Sequence, residues 1–437
     1  MNLIVNKTEK LRGEIKMPAS KSHTIRAVVI ASLANGTSKI INPLFSDDTK
    51  AAINGCKALG AEIKQEKNLI VVEGFNGKPK EPKEKLNMLN SGTSINMLTS
   101  VAALGSFKVI LDGDASLRKR PSQPLLHALE NLGVSANSIN NNGCPPIEIQ
   151  GPIKGGETDV DCKSSQYLSS LLITCPLIDN DTVIHAKNIC EIPYIKMTLK
   201  WLDESNIKYE NKNLEYFRIY GKQKYKPFEK SISADWSSAA FPICAAAITN
   251  SDVIIKGLDL NDTQGDKKII DYLKKMGANI EINKDGIKII GKELNGCEIN
   301  LNETPDLLPV MAVVACFAKG TTKLINVAHA RIKETDRIKV MHNELKKMDA
   351  DISELEDGLV VRHKPLKGCL VNSHSDHRVV MALSLAGLIA EGKTVIDTAE
   401  SVSVTYPNYF ESMKALGADF EATEKQVSPD LKNTFLR

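Results

Sequence analysis

Residues 13–45 read GEIKMPASKSHTIRAVVIASLANGTSKIINPLF. A short strand leads into small and hydroxyl residues, then an apolar helical run, a glycine turn and a second strand. The same order returns at KLNMLNSGTSINMLTSVAALGSFKVILDGD (85–114) and at TDVDCKSSQYLSSLLITCPLIDNDTVIHAKNI (158–189). It returns again at SISADWSSAAFPICAAAITNSDVIIKGLDL (231–260), at CEINLNETPDLLPVMAVVACFAKGTTKLINVAH (297–329) and at CLVNSHSDHRVVMALSLAGLIAEGKTVIDTA (369–399). A repeat of roughly 70 residues is too long for the common solenoids and suits a compact βαβαββ unit.

A second, amphipathic helix follows each copy, often ending at a glycine: 48–59 before Gly60, 121–132 before Gly133, 265–276 before Gly277 and 409–416 before Gly417. Glycine just past a helix end is the usual left-handed cap. A strand closes five of the units, at 69–73, 147–150, 217–220, 287–290 and 359–362, whereas the sixth runs into a short polar tail. At the other end of the chain, residues 3–6 read as a strand with no helix before it. The economical solution is that this strand completes the sixth unit, since an unfilled position leaves an open sheet edge. Three units per domain follow, one domain formed by residues 1–19 with 236–437 and the other by 20–235.

Bulk numbers exclude several classes. Hydrophobic content of 42% and charged content of 25% are ordinary for a soluble globular protein, and a net charge of +3 does not argue for nucleic acid or a membrane surface. The N-terminal stretch lacks the apolar core and cleavage site of a signal peptide, and the apolar run at 310–318 is too short to span a bilayer. Nine scattered cysteines without a CxxC pair fit reduced thiols in the cytoplasm. His374 and His377 form an HxxH, but no carboxylate or cysteine pattern accompanies them, so no metal site is expected.

Unusual residues collect where each repeat's first helix begins: Ser20-Lys21-Ser22, Asn90-Ser91-Gly92-Thr93, Ser164-Ser165-Gln166, Asp235-Trp236-Ser237-Ser238, Pro305-Asp306 and Asp376-His377-Arg378. Any one Ser, Asn or Asp here reads as a plain N-cap. Lys21, Arg26 and Arg378 do not, because cations near a helix N-terminus oppose its dipole unless an anion lies between them. Arg120, before Pro121, reads as another cation opening a helix. The most charged stretch, Arg331–Arg337 (RIKETDR), lies between a strand-like run at 322–327 and an amphipathic helix at 338–348. By itself it reads as a salt-bridged helix start or as an anion site with Glu334 in reach for proton transfer. Taken together, these cations with Asp306 and Glu334 suit one or two small substrates bearing phosphate or carboxylate.

These motifs resemble those of the enolpyruvyl transferases over essentially the whole chain, and most closely the branch acting on shikimate 3-phosphate. The matching runs are PASKSHTIR (18–26), LNSGTS (89–94), RKRP (118–121), SSQYL (164–168), PYI (193–195), ETPD (303–306), RIKETDRI (331–338) and SDHR (375–378). The resemblance implies an α/β fold of two domains, each of three βαβαββ units in an inside-out α/β barrel arrangement, with the active site in the interdomain cleft. It implies that Lys21, Ser22, Arg26, Ser164, Ser165, Gln166, Tyr194, Asp306 and Lys333 hold shikimate 3-phosphate. Phosphoenolpyruvate would be held by Lys21, Gly92, Arg120, Gln166, Arg337 and Arg378. Asp306 would act as base and Glu334 as acid, with Lys21 completing the catalytic set. A monomer using small-molecule substrates is expected, with no cofactor, metal, nucleic acid or membrane partner.

This chain departs from the family pattern at four places. Asn96 stands where an arginine is usual, Ile192 where a serine is frequent, His329 where an asparagine is frequent, and Val404 at the place of a late lysine. The branch acting on UDP-N-acetylglucosamine is the nearest alternative. It has Lys-Asn where this chain has Lys21-Ser22, and a cysteine in the loop corresponding to 112–119, which here contains none. A family member that binds anions without turning them over is the other alternative.

Overall fold

A computed structural model of the chain describes residues 1–424, so the polar tail at 425–437 lies outside the described residues. The described chain divides into two compact units, Ala19–Ser233 and a second made of Met1–Pro18 with Ala234 onward. Each unit contains three four-stranded sheets. Every sheet has the same plan, a first strand parallel to its neighbour and then two antiparallel strands, and in five of the six the later of those two in sequence lies inside the earlier.

In the Ala19–Ser233 unit the first sheet runs Glu229–Ser231, Thr37–Ile41, Leu69–Glu73, Glu62–Glu66. Ser38 and Ile40 face inward while Thr37, Lys39 and Ile41 are exposed, the period-two pattern of a half-buried strand. The helices Lys21–Leu33, Gly92–Ala102 and Ser165–Thr174 are buried on nearly all sides. A helix apolar all round has no solvent face to offer, so these three form the interior and the sheets wrap them. The amphipathic second helices, Asp47–Ala58, Gln123–Asn131 and Ile192–Glu204, keep an exposed polar face.

The other unit repeats this plan with Trp236–Ile248, Leu308–Phe317 and His377–Ile389 as interior helices; every residue of Trp236–Ile248 is buried. Its second helices are Ile269–Lys275, Arg337–Lys347 and Tyr409–Ala415. Gly60, Gly133, Gly277 and Gly417 have φ between 87° and 107°, each directly after a second helix, where a side chain would strain the backbone.

In the last sheet, Asn2–Val5 lies between Thr394–Ile396 and Phe420–Thr423, with Leu3 opposite Ile396 and Ala422. The sixth unit therefore has its third strand at Phe420–Thr423, which the sequence pattern does not reveal, and takes its fourth from the N-terminus.

The first strands of two repeats are exchanged relative to their order along the chain. Arg12–Lys16 precedes the helix Lys21–Leu33 but pairs in parallel with Asp252–Lys256. Glu229–Ser231 precedes Trp236–Ile248 but pairs in parallel with Thr37–Ile41. The chain changes unit between strand and helix, so each strand stays with the sheet of the unit it leaves. The crossings are paired by hydrogen bonds, Ser20 N–H donating to the Ser233 carbonyl (2.8 Å) and Asp235 N–H to that of Pro18 (2.8 Å).

Because Leu3 is fully buried in an inner strand, Leu3→Ala should cost about 2–5 kcal/mol, the range for a core leucine. Urea unfolding checks this; a loss below about 1 kcal/mol would mean that the N-terminal strand is not part of the core.

Candidate active site

In the Ala19–Ser233 unit the conspicuous residues converge on the N-termini of the interior helices. Lys21 opens Lys21–Leu33 and is paired with Asp48 at 2.9 Å, so an internal carboxylate already answers its charge at the helix start. Arg26 lies one turn further in and is almost fully buried. Its guanidinium donates to Thr198 Oγ1 (2.9 Å), the Ser22 carbonyl (3.1 Å), the Tyr194 carbonyl (3.3 Å) and Ser169 Oγ (3.4 Å). Burial lowers its pKa to about 10 against the fields of Tyr194 and Glu191, so it remains a cation at neutral pH. Ser164 caps Ser165–Thr174, accepting from Gln166 N–H. Ser165 donates both its N–H (3.0 Å) and its hydroxyl (2.8 Å) to Glu191 Oε2.

A neighbouring group forms around Gly92, the first residue of Gly92–Ala102. A Cβ at Gly92 would lie 3.1 Å from Arg120 Nη1 and 3.4 Å from Gln166 Oε1, so a side chain here would push these two groups back from the helix start by a few tenths of an ångström. Asn96 donates to Gln166 Oε1 (2.8 Å) and to the Gly92 carbonyl (2.9 Å), and Gln166 donates to Thr93 Oγ1 (3.2 Å). Asn96 is thus a neutral amide that fixes the Gln166 carboxamide. Arg120 does not open a helix. It stands in extended conformation between a 3-10 turn, Leu117–Lys119, and the helix starting at Gln123, and donates to Asn90 Oδ1 and Ser116 Oγ. Pro121 and Ser122 delay the helix by two residues.

The other unit gathers its charges on one guanidinium. Arg337, fully buried at the start of Arg337–Lys347, donates to Asp306 Oδ1 (2.7 Å), Glu334 Oε2 (2.6 Å) and both oxygens of Asp376 (2.8 and 3.1 Å). Asp306 is bound on its second oxygen by Arg378 at 3.0 Å. Burial pushes the Asp306 carboxyl up, but Arg378, Lys333 and Arg337 outweigh it and hold it far below the ordinary carboxylate range. Burial disfavours the Arg337 cation, yet Asp376, Glu334 and Asp306 raise its pKa well above the usual arginine value. Asp376 also caps His377–Ile389, accepting from Arg378 N–H (2.9 Å) and from the Thr335 hydroxyl (3.0 Å).

The RIKETDR run therefore divides. Arg331 binds Asp336 and Glu354 and the carbonyls of Leu355 and Glu356, and Asp336 caps the helix, so these two are structural. Lys333, Glu334 and Arg337 turn toward Asp306 and Asp376. Three acids that the sequence reading did not single out matter here: Asp48, Glu191 and Asp266. Asp376, read there as an N-cap, is one, and is also a partner of Arg337.

Asp266 lies in the 3-10 turn Gly265–Lys268 and accepts from the Ser237 hydroxyl, while its Oδ1 has no hydrogen-bond partner among the described residues. Burial and then the Asp306 carboxylate push its pKa up to about 7. Val404 lies buried in the turn Ala399–Val404, and Ile192 is the first residue of Ile192–Glu204. Among the described residues no group of three His, Cys, Asp or Glu is arranged to hold a metal, and no helix is long and apolar enough to cross a membrane. All nine cysteines are free thiols.

The elevated Asp266 pKa has a signed consequence. Between an ordinary aspartate value near 4 and about 7, the folded chain keeps a proton that the unfolded chain releases, so stability falls as pH rises. The loss is roughly 1.4 kcal/mol per pH unit of that window. Asp266→Asn should therefore stabilise the chain more at pH 8 than at pH 5, read from urea midpoints; an equal effect at both would show the carboxyl to be ionised throughout.

Comparison with known proteins adds an independent line. The family model described as EPSP synthase (3-phosphoshikimate 1-carboxyvinyltransferase) matches residues 5–413. A 3-phosphoshikimate 1-carboxyvinyltransferase of Acetivibrio thermocellus is 50% identical, over 97% of this chain and 100% of that protein. One from Methanocaldococcus jannaschii is 44% identical, over 96% of this chain and 99% of that protein. A solved EPSP synthase structure from Acinetobacter baumannii superposes with a TM-score of 0.81 at 26% identity, over 97% of this chain and 100% of that chain.

Proposed function

The chain belongs to the EPSP synthase family, and from that membership we propose that it transfers the enolpyruvyl group of phosphoenolpyruvate to the 5-hydroxyl of shikimate 3-phosphate, releasing phosphate. Transfer to UDP-N-acetylglucosamine is set aside because relatives up to 50% identical over their full length carry the 3-phosphoshikimate name. The observation that carries the residue assignment is Arg337, which binds both Asp306 and Glu334. We assign both clusters to the same reaction. Lys21, Ser22, Arg26, Ser164, Ser165, Gln166, Tyr194, Asp306 and Lys333 receive shikimate 3-phosphate, and Lys21, Gly92, Arg120, Gln166, Arg337 and Arg378 receive phosphoenolpyruvate. The chain is read as a cytoplasmic monomer working on these two small molecules.

Phosphoenolpyruvate arrives with about three negative charges near neutrality, and cations localise it while offsetting its desolvation. The same charges alter the carboxylates. Anionic oxygens that engage Arg337 and Arg378 weaken the hold of those cations on Asp306, restoring its basicity, and they favour the protonated form of Glu334. Glu334 then delivers a proton to C3, leaving C2 oxocarbenium-like. The 5-hydroxyl adds at C2 as Asp306 takes its proton. The tetrahedral adduct loses phosphate and a C3 proton, which regenerates the carbon–carbon double bond. No metal or organic cofactor enters this proposal.

Glu334→Gln should lower turnover by ~10²–10⁴, the usual worth of a positioned acid, while ternary-complex formation persists because the amide keeps the size and hydrogen bonding. Proton exchange at C3 of phosphoenolpyruvate in deuterated solvent assigns the roles. The Glu334→Gln variant should lose it; if that variant exchanges as fast as the parent and Asp306→Ala does not, acid and base are reversed.

A further inference from the structure

Glu191 has no part in the chemistry above, yet its carboxylate stands among the groups assigned to the shikimate phosphate. It is almost fully buried, and one oxygen accepts both the N–H and the hydroxyl of Ser165. Its field reaches Arg26. The residue is held there by its own backbone: φ is 55°, a left-handed value unusual for a side-chain-bearing residue, at the entry to Ile192–Glu204. The Tyr194 N–H donates to its carbonyl (2.9 Å), and the Tyr194 carbonyl accepts from Arg26.

Capping alone does not account for this arrangement. Ser164 already serves as the N-cap of Ser165–Thr174, by accepting from Gln166 N–H. The Ser165 N–H that remains could be met by a second hydroxyl, without the desolvation that a buried carboxylate costs. What a carboxylate adds is an anion, bound at the first N–H of a helix beside a buried arginine, which is how a phosphate binds.

We propose that Glu191 is a built-in competitor for the phosphate of the first substrate. Its carboxylate holds the Ser165 N–H and hydroxyl, and a substrate phosphate must take them over. A carboxylate and a phosphate are both acceptors, and Ser165 has one N–H and one O–H to give. Their charges also repel at this range, so Glu191 sets how tightly the site takes phosphate and disfavours weakly held inorganic anions. The inference rests on the assignment of Ser165 and Arg26 to the shikimate phosphate.

The test is Glu191→Gln in the full chain, with Glu191→Ser as a second variant that removes the charge and puts a short hydroxyl in its place. Steady-state kinetics with both substrates should show KM for shikimate 3-phosphate falling about tenfold or more. KM for phosphoenolpyruvate should stay within about twofold. Calorimetry with inorganic phosphate should show tighter binding by both variants than by the parent. An unchanged or raised KM for shikimate 3-phosphate, with phosphate binding no tighter, makes Glu191 a structural cap and overturns the proposal. If parent and variants all fail to release phosphate from the two substrates, the functional reading fails instead, and the calorimetry still decides the role of Glu191.

Discussion

A single buried guanidinium organises one half of the candidate site. Arg337 pairs with three carboxylates that come from separate parts of the chain, Asp306, Glu334 and Asp376. None of those acids could be buried together without it, since unpaired buried charge costs several kcal/mol. Asp376 in turn caps an interior helix and ties Arg337, with Asp306 and Glu334 of the fifth repeat, to the sixth. The ionic cluster is thus a folding element as much as a binding one. The charge that would receive an anionic substrate is already compensated from within, so binding becomes an exchange of anions.

The Ala19–Ser233 unit follows the same logic at smaller scale. Lys21 is answered by Asp48, and Ser165 and Arg26 by Glu191. Interior helices that are apolar on every side leave only their ends for polar groups, so the cations and hydroxyls crowd there. The internal acids keep those ends satisfied.

Much of this was legible in the sequence because repeats and caps are local. The six strand–helix–strand runs, the glycines after the second helices and the Lys-Ser and SDHR helix starts are patterns of neighbours. The N-terminal strand was legible by bookkeeping, since one repeat lacked a partner. The domain bounds read from the repeats already part Arg12–Lys16 and Glu229–Ser231 from the helices that follow them, but which sheet each strand joins cannot be read from neighbours. Asp48, Glu191 and Asp266 were illegible for a related reason. An acid in a helix start or loop looks solvated until tertiary structure shows what it faces. Arg120 was misjudged at short range, as its proline begins a turn that precedes the helix by two residues.

The pairing of Asn2–Val5 with strands near residues 395 and 422 has a consequence for synthesis. A segment made before the rest of the described chain is among the last to acquire partners. The continuous Ala19–Ser233 unit can gain all its contacts while the rest is still being made, but the unit that begins the chain cannot close until its end has emerged. For that whole interval an apolar strand, LIV at its centre, stays unpaired and needs protection from wrong partners. The length of that interval, and not only the stability of the finished molecule, therefore bears on how cleanly this fold forms.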